Sequence, residues 1–215
     1  MSRKRLIITA IVLVLILVIG GILAYFTDSE TKTNKFKLGD VNIEVTEEDW
    51  PGEGDTPVGI EPNMEVAKNP VIKNLGDGDI YAFAEVTVPY DTVIVGDATA
   101  AAETQLFSYT LNTGWVELGT ASKDTTNKTY THVYAYATSG KLTALAKNDA
   151  TAAVFDTVKF ADVKEENYSD AGIQGKEYDV VVKGYGIQTE GLGLADEVKD
   201  APASVWPLVK TEQKK

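Results

Sequence analysis

The sequence predicts a mainly β protein, a jelly-roll-like β-sandwich with short helices in its loops, preceded by an N-terminal signal or transmembrane segment. About eight short segments alternate apolar and polar residues with period two, and clusters rich in Gly, Asn and Asp separate them. No long amphipathic helix pattern is present. The chain has 215 residues, 44% of them hydrophobic and none of them cysteine, so it can bury a sizeable core and has no disulfide framework.

The first 24 residues have the pattern of an export segment. Arg3, Lys4 and Arg5 precede a 19-residue apolar run that ends at Ala24. A basic start followed by an apolar run enters the membrane and sends the rest of the chain outside. We therefore predict a signal peptide over residues 1–24, cleavage between Ala24 and Tyr25, and a protein secreted to the extracellular matrix or cell surface. The run is longer than most signal peptides, so an uncleaved membrane anchor remains the alternative.

The charge of the exported part limits its partners. From Tyr25 onward the chain contains 17 Lys and Arg against 32 Asp and Glu, a formal charge of −15. Such a surface repels nucleic acid and anionic lipid, because binding to phosphates needs a basic face. We predict no nucleic-acid partner, and membrane contact only through the N-terminal segment before cleavage.

A change of parity marks the start of the exported part. A polar lead is followed by Phe36 and Leu38, whereas Val41, Ile43 and Val45 alternate with the opposite parity. In a strand of period two this change requires a bend or bulge, which the intervening Gly39 can supply. The pattern predicts extended pieces over 33–38 and 40–46 with a hinge at Gly39. We therefore treat 25–38 as a separate N-terminal tether.

The remaining alternation predicts the strands of one domain over residues 39–209, followed by a charged tail over 210–215. The strands are predicted over residues 66–73, 80–88, 107–111, 115–118, 129–137, 154–160 and 178–188. The stretch 47–63 is rich in Pro, Gly and acids and predicts a loop. Asn112-Thr113-Gly114 predicts a hairpin connection between its flanking strands.

Short helices are predicted at three places. Two segments, 98–106 and 142–153, are rich in alanine, which has the highest helix propensity. A third helix is predicted within 194–209, interrupted at Pro202 and Pro207 because proline lacks the backbone donor that a helix interior needs.

The sequence contains little of the chemistry that catalysis requires. His132 is the one histidine and lies in an alternating strand, and the chain has no cysteine. A two-histidine zinc site and thiol catalysis are therefore excluded. We predict no catalytic residue, no cofactor and no enzymatic activity. Asn74, Asp77 and Asp79 form a weak candidate calcium site, although such residues are also typical of a turn, which is the favoured interpretation.

Several blocks, taken in their order along the chain, resemble the TasA/camelysin (CalY) family, the secreted biofilm-matrix fibre proteins of Gram-positive bacteria that a SipW-type signal peptidase processes. The blocks are Gly20–Asp28, Asn34–Ile43, Val66–Gly76 with Tyr81, Val154–Val158, Gly186–Gly191 and Ala203–Trp206. Together they span nearly the whole chain.

The resemblance implies a jelly-roll fibre subunit that forms a head-to-tail homopolymer by donor-strand complementation. The mature N-terminus, including Tyr25, Phe26, Phe36 and Leu38, would enter the next copy as its missing strand. The signal peptidase and other matrix proteins are further implied partners. Three alternatives remain: a disordered stalk leading into a monomeric sandwich, a camelysin-like secreted metalloprotease, and a membrane-anchored surface binding module.

Overall fold

A computed structural model of the protein describes residues 41–51, 59–164, 173 and 175–212. These residues belong to the second of two units into which the chain divides, Gly39–Lys215. The predicted signal peptide and tether lie outside the described residues, and so do the predicted site residues Ala24, Tyr25, Phe26, Phe36, Leu38 and Gly39.

The described residues form thirteen strands and one helix. The first strands are β1 (Ile43–Thr46), β2 (Glu65–Ala67), β3 (Val71–Asn74), β4 (Ile80–Val93), β5 (Ala102–Gln105), β6 (Phe107–Ser108) and β7 (Trp115–Glu117). They are followed by β8 (Ser122–Asp124), β9 (Thr129–Thr138), β10 (Lys141–Leu142), β11 (Ala144–Leu145), β12 (Thr157–Phe160), β13 (Val181–Gln188) and the helix α1 (Pro202–Glu212).

The strands form two layers, which confirms the predicted β-sandwich. In the first layer β4 is central and pairs antiparallel with β13 on one edge and β9 on the other. β7, β8 and β10 pair with β9, while β5 and β11 pair with the two ends of β4. In the second layer β1 pairs with β3, and β12 lies between β2 and β6.

The main core lies between the two layers. The inward-facing side chains of β4 are almost completely buried: Ile80, Ala82, Ala84, Val86 and Val88. From the second layer Ile72, Val66, Val158 and Phe160 belong to the same hydrophobic cluster. Burying a side chain of this size contributes about 2 kcal/mol, so this cluster is the principal source of stability.

A second, smaller core lies on the outer face of the first layer, under α1. Val205 and Val209 of the helix are buried with Phe83, and the Trp206 ring lies 5.3 Å from the Phe83 ring. The predicted interruption at Pro202 is wrong, because Pro202 is the first helical residue, where a missing N–H costs nothing. The helix continues to Glu212, into the predicted tail. No helix within the described ranges is long and apolar enough to span a membrane.

The hairpin predicted through Asn112–Gly114 is wrong. The flanking strands do not pair with each other, since β6 pairs with β12 and β7 pairs with β9. Their connection instead crosses from the second layer to the first. The predicted turn glycine still has a left-handed backbone, with φ of +95° at Gly114. The turn residues therefore predicted the local backbone conformation correctly, but they did not predict which strands pair.

The helices predicted over 98–106 and 142–153 are also wrong. The first segment contains β5, and the second contains the end of β10 together with β11. Leu142 and Leu145 are buried in these short strands, so pairing with β9 and β4 overrides the helix propensity of alanine. The strand predicted over 66–73 is present as two pieces, β2 and β3, separated at Lys68–Pro70.

β1 packs closely against β13 at two glycines. A Cβ atom added at Gly184 would lie 2.5 Å from Cγ2 of Val45, and one added at Gly186 would lie 2.8 Å from Cγ2 of Ile43. Real Cβ atoms do not approach other atoms so closely. The two glycines therefore allow β1 to pack against the inner face of β13.

We predict that Gly184→Ala lowers the free energy of unfolding by about 1–3 kcal/mol, because its methyl group overlaps the Val45 side chain. Denaturant unfolding measures this loss. Val45→Ala removes the overlapping atom, so the double variant loses less than the sum of the two single variants. Gly78→Ala is the matched control, since no atom lies within 4 Å of its added Cβ. Equal stability of Gly184→Ala and the unmodified protein would contradict this packing.

Candidate functional site

The candidate site is the open edge, which we define as the edge strands β1 and β13 with the residue that precedes β1, Val41. β1 pairs with β3, and β13 pairs with β4; among the described residues neither pairs with a further strand. Each of these strands therefore has an outer row of backbone N–H and C=O groups. Such a row can accept an additional strand.

Apolar side chains on the inner face of β1 are exposed along the open edge. Val45 lies opposite Ile72, which is fully buried, yet Val45 is 38% exposed. Val41 is 40% exposed, and its Cγ1 would lie 3.3 Å from a Cβ atom added at Gly186 of β13. The edge strand of a closed sandwich buries such inward-facing residues. The hydrophobic core is therefore incompletely covered at this edge.

The β6–β7 connection covers the core on the side of the first layer that β7 occupies. The N–H of Asn112 donates to the Val154 carbonyl at 2.9 Å. Nε1 of Trp115 donates to the Ala152 carbonyl at 3.0 Å. The Trp115 side chain, 5% exposed, thereby joins the first layer to the segment that precedes β12. The two edges of the sandwich are thus not equivalent.

The loop that follows β1 is anchored to the segment between β2 and β3. Nζ of Lys68 donates to both carboxylate oxygens of Glu47, at 2.8 and 2.7 Å, and lies 5.1 Å from the centre of a Trp50 ring. Lys68 is only 8% exposed, so this ion pair is shielded from solvent more than a surface pair is. These contacts fix the C-terminal end of β1 and hold the open edge in place.

The predicted calcium candidates Asn74, Asp77 and Asp79 lie in the turn between β3 and β4. The Asn74 amide is fully buried and donates to the carbonyls of Gly78 and Leu145, at 2.9 and 3.0 Å. Its oxygen accepts the N–H of Gly76 at 2.9 Å. Asp77 pairs with Lys147 at 2.9 Å. The Asn74 side chain thus stabilises the turn through backbone contacts, which supports the turn interpretation.

His132 lies in a polar cluster on the inner face of β9. Its Nδ1 is 2.7 Å from Oε1 of Glu117, and its Nε2 is 3.2 Å from Oε1 of Gln105. The hydroxyl groups of Tyr109 and Tyr134 are 2.7 Å apart. Burial raises the pKa of Tyr134 to about 12, so its phenol keeps its proton at neutral pH. The cluster connects β5, β7 and β9 and contains the imidazole of His132.

The chain offers a poor donor set for a transition metal. In the part of the chain that the structure describes, no group of three or more His, Cys, Asp and Glu side chains could hold a metal ion. The complete sequence contains one histidine and no cysteine, whereas protein zinc sites are built mainly from those two residue types.

The sequence analysis missed two components of the open edge. Gly184 and Gly186 are two residues apart, so they lie on the same face of β13. That spacing was visible in the sequence and could have indicated a closely packed neighbour. The identity of the neighbour, β1, was not visible, because it lies more than a hundred residues earlier in the chain.

Comparison with known proteins connects the chain to one family. A family model described as camelysin metallo-endopeptidase matches residues 3–95, which include β1 to β4 and most of the predicted export segment. Comparisons with curated proteins and with solved structures found no match. The resemblance to the TasA/camelysin family that the sequence motifs predict is thereby confirmed over residues 3–95 of the chain.

Proposed function

We propose that this chain is a secreted structural protein whose mature copies polymerise into fibres of an extracellular matrix. The N-terminal segment 25–38 of one copy adds as a strand to the open edge of the next. The observation that carries this proposal is the incompletely covered core between β1 and β13, where Val41 and Val45 remain exposed. The camelysin-family match over residues 3–95 supports an exported protein of this type.

The donor segment has the properties that strand addition requires. Residues 33–38 contain Phe36 and Leu38 at alternate positions, so an extended conformation directs both side chains to the same face. Six extended residues span about 20 Å, enough to run along the four residues of β1 and beyond its ends. Main-chain hydrogen bonds provide the affinity, and burial of the two apolar side chains fixes the register.

The donor segment directly precedes β1, and only Gly39 and Asp40 separate its last residue, Leu38, from Val41. A tight turn at these two residues would pair the segment with its own β1. If the segment instead continues away from Val41, it would be free to pair with a neighbouring copy. A head-to-tail contact of this kind does not close, so it generates a filament.

We predict that mature protein beginning at Tyr25 forms filaments and that deletion of residues 25–38 abolishes them. The deletion leaves β1 to β13 intact, so circular dichroism and the unfolding transition should still report a folded domain. Negative-stain microscopy and sedimentation measure assembly.

A matched pair of variants tests whether burial of the donor side chains, and not merely the presence of the segment, is needed for assembly. Phe36→Ser with Leu38→Ser should weaken assembly strongly, because each substitution removes roughly 2 kcal/mol of buried apolar contact. Thr31→Ser with Thr33→Ser retains the polar lead and should have little effect. Filaments that persist after the deletion would refute the donor role.

The family description also names a protease activity, which is the second candidate function. A metalloprotease holds its metal with several convergent ligands, but His132 is the one imidazole of the chain and contacts a single carboxylate. The described residues therefore do not fit such a metal site.

We predict that the purified mature protein has no chelator-sensitive protease activity on casein. The assay follows casein fragments across chromatographic fractions, with and without a chelator, and with His132→Ala as a matched variant. Cleavage that coelutes with the protein, is inhibited by the chelator and is lost in His132→Ala would support the protease function instead.

We predict that the exported protein begins at Tyr25, because cleavage after Ala24 is what frees the donor segment. Intact-mass measurement of the exported protein determines its first residue. If the exported protein begins at Met1, the result would support the membrane-anchored surface module. An uncleaved anchor would hold the donor segment at the membrane and hinder its insertion into a neighbouring copy.

A further inference from the structure

The outer faces of the two edge strands carry opposite charges at the open edge. On β1, the outward-facing Glu44 is exposed and lies opposite Lys73 of β3. On β13, the outward-facing Lys183 is exposed and lies opposite Glu85 of β4. An incoming strand therefore meets an acidic residue on one edge strand and a basic residue on the other.

The basic charge on β13 is poorly compensated. Glu85, its cross-strand neighbour, already accepts hydrogen bonds from Tyr185 and Lys210. Among the described residues neither Lys183 nor Glu44 is found in an ion pair. Both side chains are therefore available to interact with the charges of an added strand.

The donor segment has a fixed pattern of charge. If Phe36 and Leu38 face the core, Lys35 and Lys37 face outward, because successive side chains of a strand alternate between its two faces. This holds for a parallel or antiparallel arrangement and for every register that buries the apolar pair. The outward face of the donor is thus basic in each case.

We propose that the acceptor of the donor segment is β1 and that Lys183 disfavours its addition to β13. This inference rests on the proposed function. Addition to β1 places Lys35 or Lys37 beside Glu44. Because Glu44 lies opposite Lys73 of β3, the three neighbouring strands then carry basic, acidic and basic side chains on their outer face. Addition to β13 places the same lysines beside Lys183. Opposite charges on neighbouring strands attract, and like charges repel.

The test measures the critical concentration for assembly of the mature full-length chain at low ionic strength. A double variant, Glu44→Lys with Lys73→Glu, reverses the acceptor charge while retaining an opposite-charge pair within the domain. We expect it to raise the critical concentration about fivefold. Changing Lys35 and Lys37 to Glu in the same chain should restore assembly. Lys183→Glu alone removes a charge that disfavours addition to β13, so it should not raise the critical concentration.

Two further measurements control for indirect effects. Thermal unfolding of unassembled protein establishes that the double variant folds as stably as the original. Salt at about 1 M should remove the difference between them, because the Debye length falls to about 3 Å.

The possible outcomes distinguish this inference from the proposed function. A critical concentration that does not respond to the Glu44 and Lys73 exchange but falls with Lys183→Glu would overturn the assignment to β1 in favour of β13. A critical concentration that responds to neither change would also overturn it, with the donor role intact. Filaments formed without residues 25–38 would instead overturn the proposed function itself.

Discussion

The architecture depends on β4, which is buried on both of its faces. This strand pairs on both of its edges, with β13 and β9, and is covered on both of its faces. Its inward residues form the core with the second layer, and its outward residues Tyr81 and Phe83 are covered by α1 and neighbouring segments. A strand in this position cannot move without disturbing both cores. It therefore provides the rigid base on which the edge strands are positioned.

The open edge follows from this arrangement. Because β4 is central, β13 is the last strand of the first layer on that side within the described ranges, as β1 is in the second layer. Gly184 and Gly186 allow these two strands to approach closely. The apolar side chains that remain exposed there are oriented by strands that are themselves well fixed. An added strand would thus meet a preformed surface, which reduces the conformational entropy lost on binding.

The sequence predicted the parts of the fold that local pattern controls. The strand predicted over 129–137 corresponds to β9, Thr129–Thr138, because its alternation is strong and uninterrupted. Pairing partners were harder to predict, since the turn chemistry of Asn112–Gly114 does not distinguish a hairpin from a crossing between layers. The alanine-rich segments were misassigned because strand pairing overrides the helix propensity of alanine. Only the pairing of β11 with β4 joins residues that lie far apart in the chain. Of the candidate site, the strands predicted over 40–46 and 178–188 overlap β1 and β13, whereas the packing of β1 against β13 joins distant parts of the chain and was not predictable from local pattern.

The leading segment and the open edge would make the subunit directional in the proposed fibre. In a fibre assembled as proposed, each copy offers one acceptor and one leading segment, so the two ends of the fibre are chemically different. One end presents an unfilled edge with exposed valines, and the other presents an unused leader. Growth could therefore be controlled separately at each end. A copy that lacks the leader could still accept a leader at its open edge. It would then end the fibre, because it has no leader to insert into a further copy.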